Sequence, residues 1–198
     1  MQIQNIHPRA YLLYIEDISD SDVEQFIAQL PQWRREQALA FKHQQGRKEC
    51  ALAYILLRHA LREEFGIDED VEFEYSEHGK PSLRGRSDIY FNMSHCRQAV
   101  ACIVGTTPVG IDVECKGRYK EQLARHVMNE EELSQIASST DRDTVFTRLW
   151  TQKEAILKLT GEGVSSDMKN TISRHPNLHL HTESNEKIAW SIAVDKKE

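Results

Sequence analysis

The spacing of apolar positions changes along the chain, and each change marks an element. Residues 10–15 (Ala-Tyr-Leu-Leu-Tyr-Ile) are a short apolar run of strand length. Asp20 or Ser21 then offers a helix cap, and helical spacing follows to Leu30. Pro31 interrupts, and helical spacing returns over 32–65. A break is predicted near 44–46, where Gly46 follows two glutamines. Beyond it Cys50, Tyr54, Leu57, Ala60 and Leu61 share one face. Strict alternation at 71–75 predicts a strand. Gly79-Lys80-Pro81 predicts a turn, because a residue before proline is pushed into extended geometry. Residues 89–93, 99–105 and 109–114 read as short strands, the last two joined by Thr106-Thr107-Pro108.

Helical signals then return. Asn129 can cap a short helix whose first turn carries Glu130, Glu131 and Glu132, which suits the positive end of a helix dipole. Asp141 or Asp143 opens a longer helix to about Leu159, and Gly161 is a natural terminator. Residues 170–194 read as two or three strands with a turn at Ser184-Asn185. The order is β, α, β-rich, α, β-rich: an α+β chain with mostly antiparallel sheets. It divides near 106–109, giving subdomains 1–106 and 107–198. No strand is followed by G-x-G-x-x-G and no G-x-x-x-x-G-K-[ST] occurs, which argues against a Rossmann dinucleotide site and a P-loop.

Composition narrows the class further. Of 198 residues, 39% are hydrophobic and 28% charged, which is globular rather than disordered. No apolar run approaches membrane-spanning length, so no membrane role is expected. The first residues lack a basic region followed by a cleavage signal, so no signal peptide is expected and the cytoplasm is the expected compartment. The four cysteines form no C-x-x-C pair, and reduced thiols are expected. A net charge of −6 argues against a general nucleic-acid binder.

Four groups of residues can carry chemistry. Asp112 and Glu114 lie two apart on a predicted strand and so on one face. Two carboxylates held together are stable around a cation, and oxygen-only ligands suit Mg²⁺; a solvated strand edge has the same pattern. Trp150, Glu154 and Lys158 form a stripe at i, i+4, i+8. Glu154 can complete a metal shell begun by Asp112 and Glu114, and Lys158 can meet phosphate oxygens. An exposed i,i+4 Glu–Lys pair explains the same spacing. Ser94 and His95, adjacent at a predicted strand end, diverge too much for a nucleophile and its base, but can each donate to an anion. Arg34, Arg35, Lys42, Arg47 and Lys48 form a basic cluster that can hold a phosphate monoester or simply face water.

Taken in order, Gly79-Lys80-Pro81, Asn92-x-Ser94-His95, Gly110-Ile111-Asp112-x-Glu114 and Trp150-x-x-Lys153-Glu154-Ala155-x-x-Lys158-x-x-Gly161-x-Gly163 resemble the motifs of the 4′-phosphopantetheinyl transferase superfamily, surfactin-synthetase-activator type. The resemblance implies a pseudo-dimer of two similar α/β subdomains with the active site at their junction. It implies transfer of the phosphopantetheine arm of coenzyme A, as co-substrate, to a serine of an apo acyl or peptidyl carrier protein, with release of adenosine 3′,5′-bisphosphate. Asp112, Glu114 and Glu154 then look like ligands of Mg²⁺, with Mn²⁺ as an alternative ion. Lys158 looks like a diphosphate contact and Ser94 and His95 like contacts to the coenzyme's phosphates, with Lys80 and Pro81 bordering the adenine. The general base is Glu154 or Glu132; Glu132 also has capping-box spacing from Asn129. For the 3′-phosphate, Arg47 or Lys48 and Arg34 or Arg35 are chosen by position.

Departures from the family pattern are Cys96, where serine often follows the histidine, and Met128 in place of an aromatic. Lys116, Arg118, Lys120 and Arg125 follow the metal strand and can receive an acidic carrier. A monomer is expected. Two rivals stand beside this reading. A metal-dependent nuclease would use Asp112, Glu114 and Lys116 as a D…E-x-K element. A non-catalytic coenzyme A binding module would keep the fold without the transfer.

Overall fold

A computed structural model of the chain describes residues 2–77, 79–163 and 167–196. Its layering is set by one strand. Every residue of Ala99–Gly105 is buried, and alternate side chains enter different cores. Val100, Cys102 and Val104 pack against helices; Ala99, Ala101 and Ile103 pack against a second sheet. Burial on both faces removes polar alternation, so the segment reads as one apolar run.

This strand, β6, belongs to a four-stranded antiparallel sheet of β1 (Ile3–His7), β2 (Ala10–Tyr14), β5 (Tyr90–Cys96) and β6 in the order β1-β2-β6-β5. A hairpin of β3 (Phe73–Tyr75) and β4 (Pro81–Leu83) lies apart from it. The helices α1 (Asp20–Ala28), α2 (Gln32–Leu39) and α3 (Gln44–Phe65) cover one face of the four-stranded sheet. Ala10, Leu12, Ala101 and Ile103 on its other face meet Ile111, Val113, Trp190 and Ile192 of a three-stranded sheet. That sheet is antiparallel in the order β7-β9-β8, with β7 (Gly110–Cys115), β8 (Leu178–Ser184) and β9 (Ile188–Asp195). Its far face carries α6 (Arg142–Thr160), through Ala155, Ile156 and Ala193. Helices, sheet, sheet and helix thus stack in four layers, in the α+β class expected.

Local chemistry fixes α6. Asp141 caps it by accepting from the Thr144 amide at 3.0 Å, and Gly161 ends it with φ 79°. At Gly110 an added Cβ would lie 2.0 Å from the Ala155 carbonyl oxygen, so the missing side chain lets β7 touch the helix. The smaller helices α4 (Glu121–Val127), α5 (Glu130–Ser138) and α7 (Thr171–Arg174), with a 3₁₀ turn at Met168–Asn170, close a separate apolar cluster around Phe146 and Met168.

Several predicted elements shift. The helical break falls at 40–43, ahead of Gly46. Gly46 lies inside α3, where a Cβ would meet the Phe41 ring at 2.7 Å, so it serves close packing rather than termination. Ser19, not Asp20 or Ser21, caps α1 by accepting from the Asp22 amide. β5 runs on through Cys96, so Ser94 and His95 lie within the strand. Residues 170–174 are helical rather than extended: Thr171 is buried and its hydroxyl donates to the Met168 carbonyl at 3.1 Å, a contact its β-branch conceals. β1 and α4 lie in segments that periodicity left unassigned; β1 is an edge strand with mixed burial. Among the described residues no helix is long and apolar enough to cross a membrane.

Candidate active site

Strand alternation turns Gly110, Asp112 and Glu114 toward α6. Helical spacing turns Trp150, Glu154 and Lys158 toward β7. The Lys158 ammonium meets Asp112 Oδ1 at 2.6 Å and donates to Ser94 Oγ at 2.8 Å. Ser94 in turn donates to Asp112 Oδ1 at 2.7 Å and accepts from the Val113 amide at 3.2 Å, joining the edges of the two sheets. Lys158 is therefore not the exposed helix-surface partner of Glu154. Glu114 accepts from Trp150 Nε1 at 3.2 Å and pairs with Arg118 at 2.5 Å.

The three carboxylates feel one another. Burial, and then the charge of Asp112, push the carboxyls of Glu114 and Glu154 above the usual range; Arg118 and Lys158 pull them back in part. Asp112 Oδ2 is buried and has no hydrogen-bond partner among the described residues. The described residues hold no group of three or more side chains already spaced as a metal site. Lys158 and Arg118 instead supply the positive charge. The donor set nevertheless fits a hard divalent cation: oxygen atoms only, one of them orphaned, on carboxylates that repel.

The strain has a measurable sign. A carboxyl whose folded pKa is raised binds more protons folded than unfolded, so its contribution to stability is present below the unfolded pKa and lost as pH rises through the folded one. Glu154→Gln is therefore expected to raise the melting temperature of ligand-free protein by about 2–4 °C near neutral pH. The gain should vanish as pH falls to the ordinary glutamate value of 4.5. A variant that melted lower at neutral pH would contradict this electrostatic account.

Beside the carboxylates lies a cavity of about 290 Å³ lined by Lys80, Pro81, Asn92, Met93, Glu154 and Lys158 among others. Lys80 and Pro81 also border a larger hollow of about 740 Å³ that extends to Arg86, Tyr90 and Pro108. The Lys80 ammonium donates to the Leu159 carbonyl at 2.7 Å, and burial lowers its pKa. Asn92, in a quoted motif but given no role by the sequence, donates to the Lys158 carbonyl at 3.1 Å.

Other expected site residues lie elsewhere. His95 points to the opposite face of β5 from Ser94 and stands 3.2 Å from Glu49, on α3. Glu132, the second candidate base, is engaged in other contacts. It closes a reciprocal capping box with Asn129 and holds the buried Lys153 ammonium at 2.8 Å. Lys48 is buried and donates to the carbonyls of Ile18 at 2.6 Å and Ile15 at 3.5 Å, so it is not free for a phosphate. Arg35 donates to the carbonyls of Ala28 and Leu30 at the end of α1, and Arg34 is buried against Cys50 O and three aromatic rings. Arg47 donates through Nε to the Phe41 carbonyl at 2.9 Å. Lys116 turns to the Asn185 carbonyl at 3.0 Å, away from the E-x-K role of a nuclease. Arg125 pairs with Glu121 along α4, and Lys120 lines a shallow hollow there.

Comparison with known proteins adds a further finding. A family model described as the 4′-phosphopantetheinyl transferase superfamily matches residues 108–197. The chain is 29% identical over 161 residues to 4′-phosphopantetheinyl transferase Sfp of Bacillus subtilis (strain 168), covering 79% of this chain and 72% of that one. It is 31% identical over 158 residues to 4′-phosphopantetheinyl transferase HetI of Nostoc sp., covering 75% and 67%. It is also 32% identical over 111 residues to the L-aminoadipate-semialdehyde dehydrogenase-phosphopantetheinyl transferase of Saccharomyces cerevisiae, covering 50% and 41%.

Proposed function

The chain belongs to the 4′-phosphopantetheinyl transferase superfamily, and we propose that it transfers the 4′-phosphopantetheine arm of coenzyme A to a serine hydroxyl of an apo acyl or peptidyl carrier protein, releasing adenosine 3′,5′-bisphosphate. The observation that carries the reading is the gathering of Asp112, Glu114, Glu154 and Lys158 beside a cavity bordered by Lys80 and Pro81. Attack on a diphosphate needs positive charge at the transferred and leaving phosphates, and needs a base for the incoming hydroxyl.

Asp112, Glu114 and Glu154 are the residues that would hold Mg²⁺, and Asp112 Oδ2 has no hydrogen-bond partner among the described residues. When bound, Mg²⁺ supplies charge neutralisation on the diphosphate oxygens. Lys158 lies within reach of the same ground: its ammonium rests on Asp112 and Ser94 and can turn to a phosphate oxygen. Glu154 is the base, directly or through a water. Burial raises its pKa, as it does that of Glu114, and its place in the cavity wall sets it beside an incoming hydroxyl. Ser94 orients Asp112 and Lys158. His95 and Arg47 are the phosphate contacts left on the first half, with Arg47 for the 3′-phosphate.

The division into a coenzyme side (1–106) and a metal and carrier side (107–198), each a similar subdomain, belongs to the same reading. It draws support from two sheets built wholly before and after that boundary. The carrier docks over Lys116, Arg118, Lys120 and Arg125. The chain acts as a monomer in the cytoplasm, without nucleic acid or membrane.

Intact-protein mass spectrometry of an apo carrier incubated with the protein, coenzyme A and Mg²⁺ tests this. One phosphopantetheinyl group should appear, disappear with excess chelator and return with added Mg²⁺. Full transfer in chelator would remove the metal from the mechanism. No transfer to any acyl or peptidyl carrier, with coenzyme A still bound, would leave a binding module.

A further inference from the structure

The end of α6 poses a problem that the chain solves from a distance. The last four carbonyls of a helix have no partner within it. In α6 these belong to Leu157, Lys158, Leu159 and Thr160. The Gly161 amide takes the Leu157 carbonyl at 2.8 Å, as expected of a glycine terminator. The next two are taken by side chains from the first half: Asn92 donates to the Lys158 carbonyl at 3.1 Å and Lys80 to the Leu159 carbonyl at 2.7 Å. The Lys80 stem lies against the turn, where a Cβ on Gly161 would stand 3.4 Å from its Cδ. A cation at this end also meets the negative pole of the helix dipole.

Lys158 is the residue held most closely by this arrangement. Asn92 grips its backbone, Lys80 grips the residue after it, and Ser94 and Asp112 hold its ammonium. Gly79-Lys80-Pro81 and Asn92 therefore converge on one turn of helix from segments far away in sequence. We propose that Lys80 and Asn92 are positioning residues that clamp the last turn of α6 to the first half of the chain and so set where Lys158 presents its charge. The Lys80 ammonium is thus spent on the helix rather than on the coenzyme, although Lys80 and Pro81 both border the cavity. The catalytic part of this inference rests on the transferase reading; the clamp itself does not.

Five proteins test it: the natural chain, Lys80→Met, Lys80→Arg, Lys158→Ala and the double variant of Lys80→Met with Lys158→Ala. Lys80→Met should lower kcat for carrier modification roughly tenfold while the KM for coenzyme A changes much less, since a displaced catalytic group costs turnover more than binding. Adding Lys80→Met to Lys158→Ala should change little further, because its effect runs through Lys158. Lys80→Arg, which keeps a donor at the same place, should restore most of the rate. Independent losses that multiply in the double variant, or a loss confined to KM, would overturn the proposal. Hydrogen exchange provides a readout without turnover. The amides of residues 158–161 should exchange faster in Lys80→Met and return toward normal in Lys80→Arg. Unchanged exchange would overturn the clamp even if transfer were confirmed; absent transfer with faster exchange would instead refute the transferase reading and the positioning role that depends on it.

Discussion

Asp112→Asn is expected to slow carrier modification by at least about a hundredfold while the protein stays folded, the scale of losing a preorganised charge at a reacting phosphate. The reason is the number of interactions that meet on this side chain. Its Oδ1 accepts from both Lys158 and Ser94, and its buried Oδ2 has no partner among the described residues. Its charge also raises the pKa of Glu114 and of Glu154. An asparagine oxygen can still accept from Lys158 and Ser94, so the geometry should survive. What goes is the negative charge: Lys158 loses its counter-ion, and the two glutamates lose part of the repulsion that keeps them basic. Single-turnover transfer followed by mass spectrometry, with a melting curve on the same sample, separates the two effects. Near-normal transfer by a well-folded Asn variant would remove Asp112 from the chemistry. A Mn²⁺ titration of both proteins adds a check that needs no turnover, since the variant should bind the ion more weakly.

The parts of the site that were legible in the sequence are those fixed by local periodicity. Asp112 and Glu114 are two apart on a strand, and Trp150, Glu154 and Lys158 are four apart on a helix. Those spacings alone place each set on one face. Gly161 ended the helix as expected because a left-handed residue is a local requirement. What could not be read was which distant group each polar side chain would meet. Lys48 and Arg35 look like phosphate-binding charges on a helix, yet they satisfy carbonyls around α1 and the end of β2. Nothing in their spacing distinguishes the two uses, because the partner lies on another element. Lys80 shows the same limit from the other side: the turn at Gly79-Lys80-Pro81 is local, but its helix-end partner is not. Layering had a similar boundary. The apolar run at β6 announced burial, whereas the identity of the second buried face, a sheet made after residue 109, emerges only from packing.

Lys153→Met is expected to cost about 3–5 kcal/mol of folding stability, the penalty for leaving one member of a buried ion pair alone. The Lys153 side chain is 0% exposed and Glu132, at 2.8 Å, is 6% exposed. The same ammonium donates to the carbonyls of Met168 at 2.8 Å and Lys169 at 3.0 Å, so one charge ties α6 to α5 and to the 3₁₀ turn. Removing it leaves the Glu132 carboxylate without its counter-ion and takes one donor from each of the two carbonyls. Pairing the substitution with Glu132→Gln should recover much of the loss, because glutamine can keep the capping box with Asn129 without a buried charge. Urea unfolding of the natural chain, the single variant and the pair measures this directly. A single variant as stable as the natural chain would mean that the pair is solvated in solution. The consequence reaches the reaction, because Lys153 and Glu154 are neighbours on one helix and point to different sides. Lys153 fixes the rotation of α6 from its buried side, and that rotation aims Glu154 at Asp112 and the cavity. The paired variant should therefore separate the two roles. Transfer that returned with stability would show that Lys153 serves the site only by holding the helix; stability recovered without transfer would give its charge a part in the chemistry.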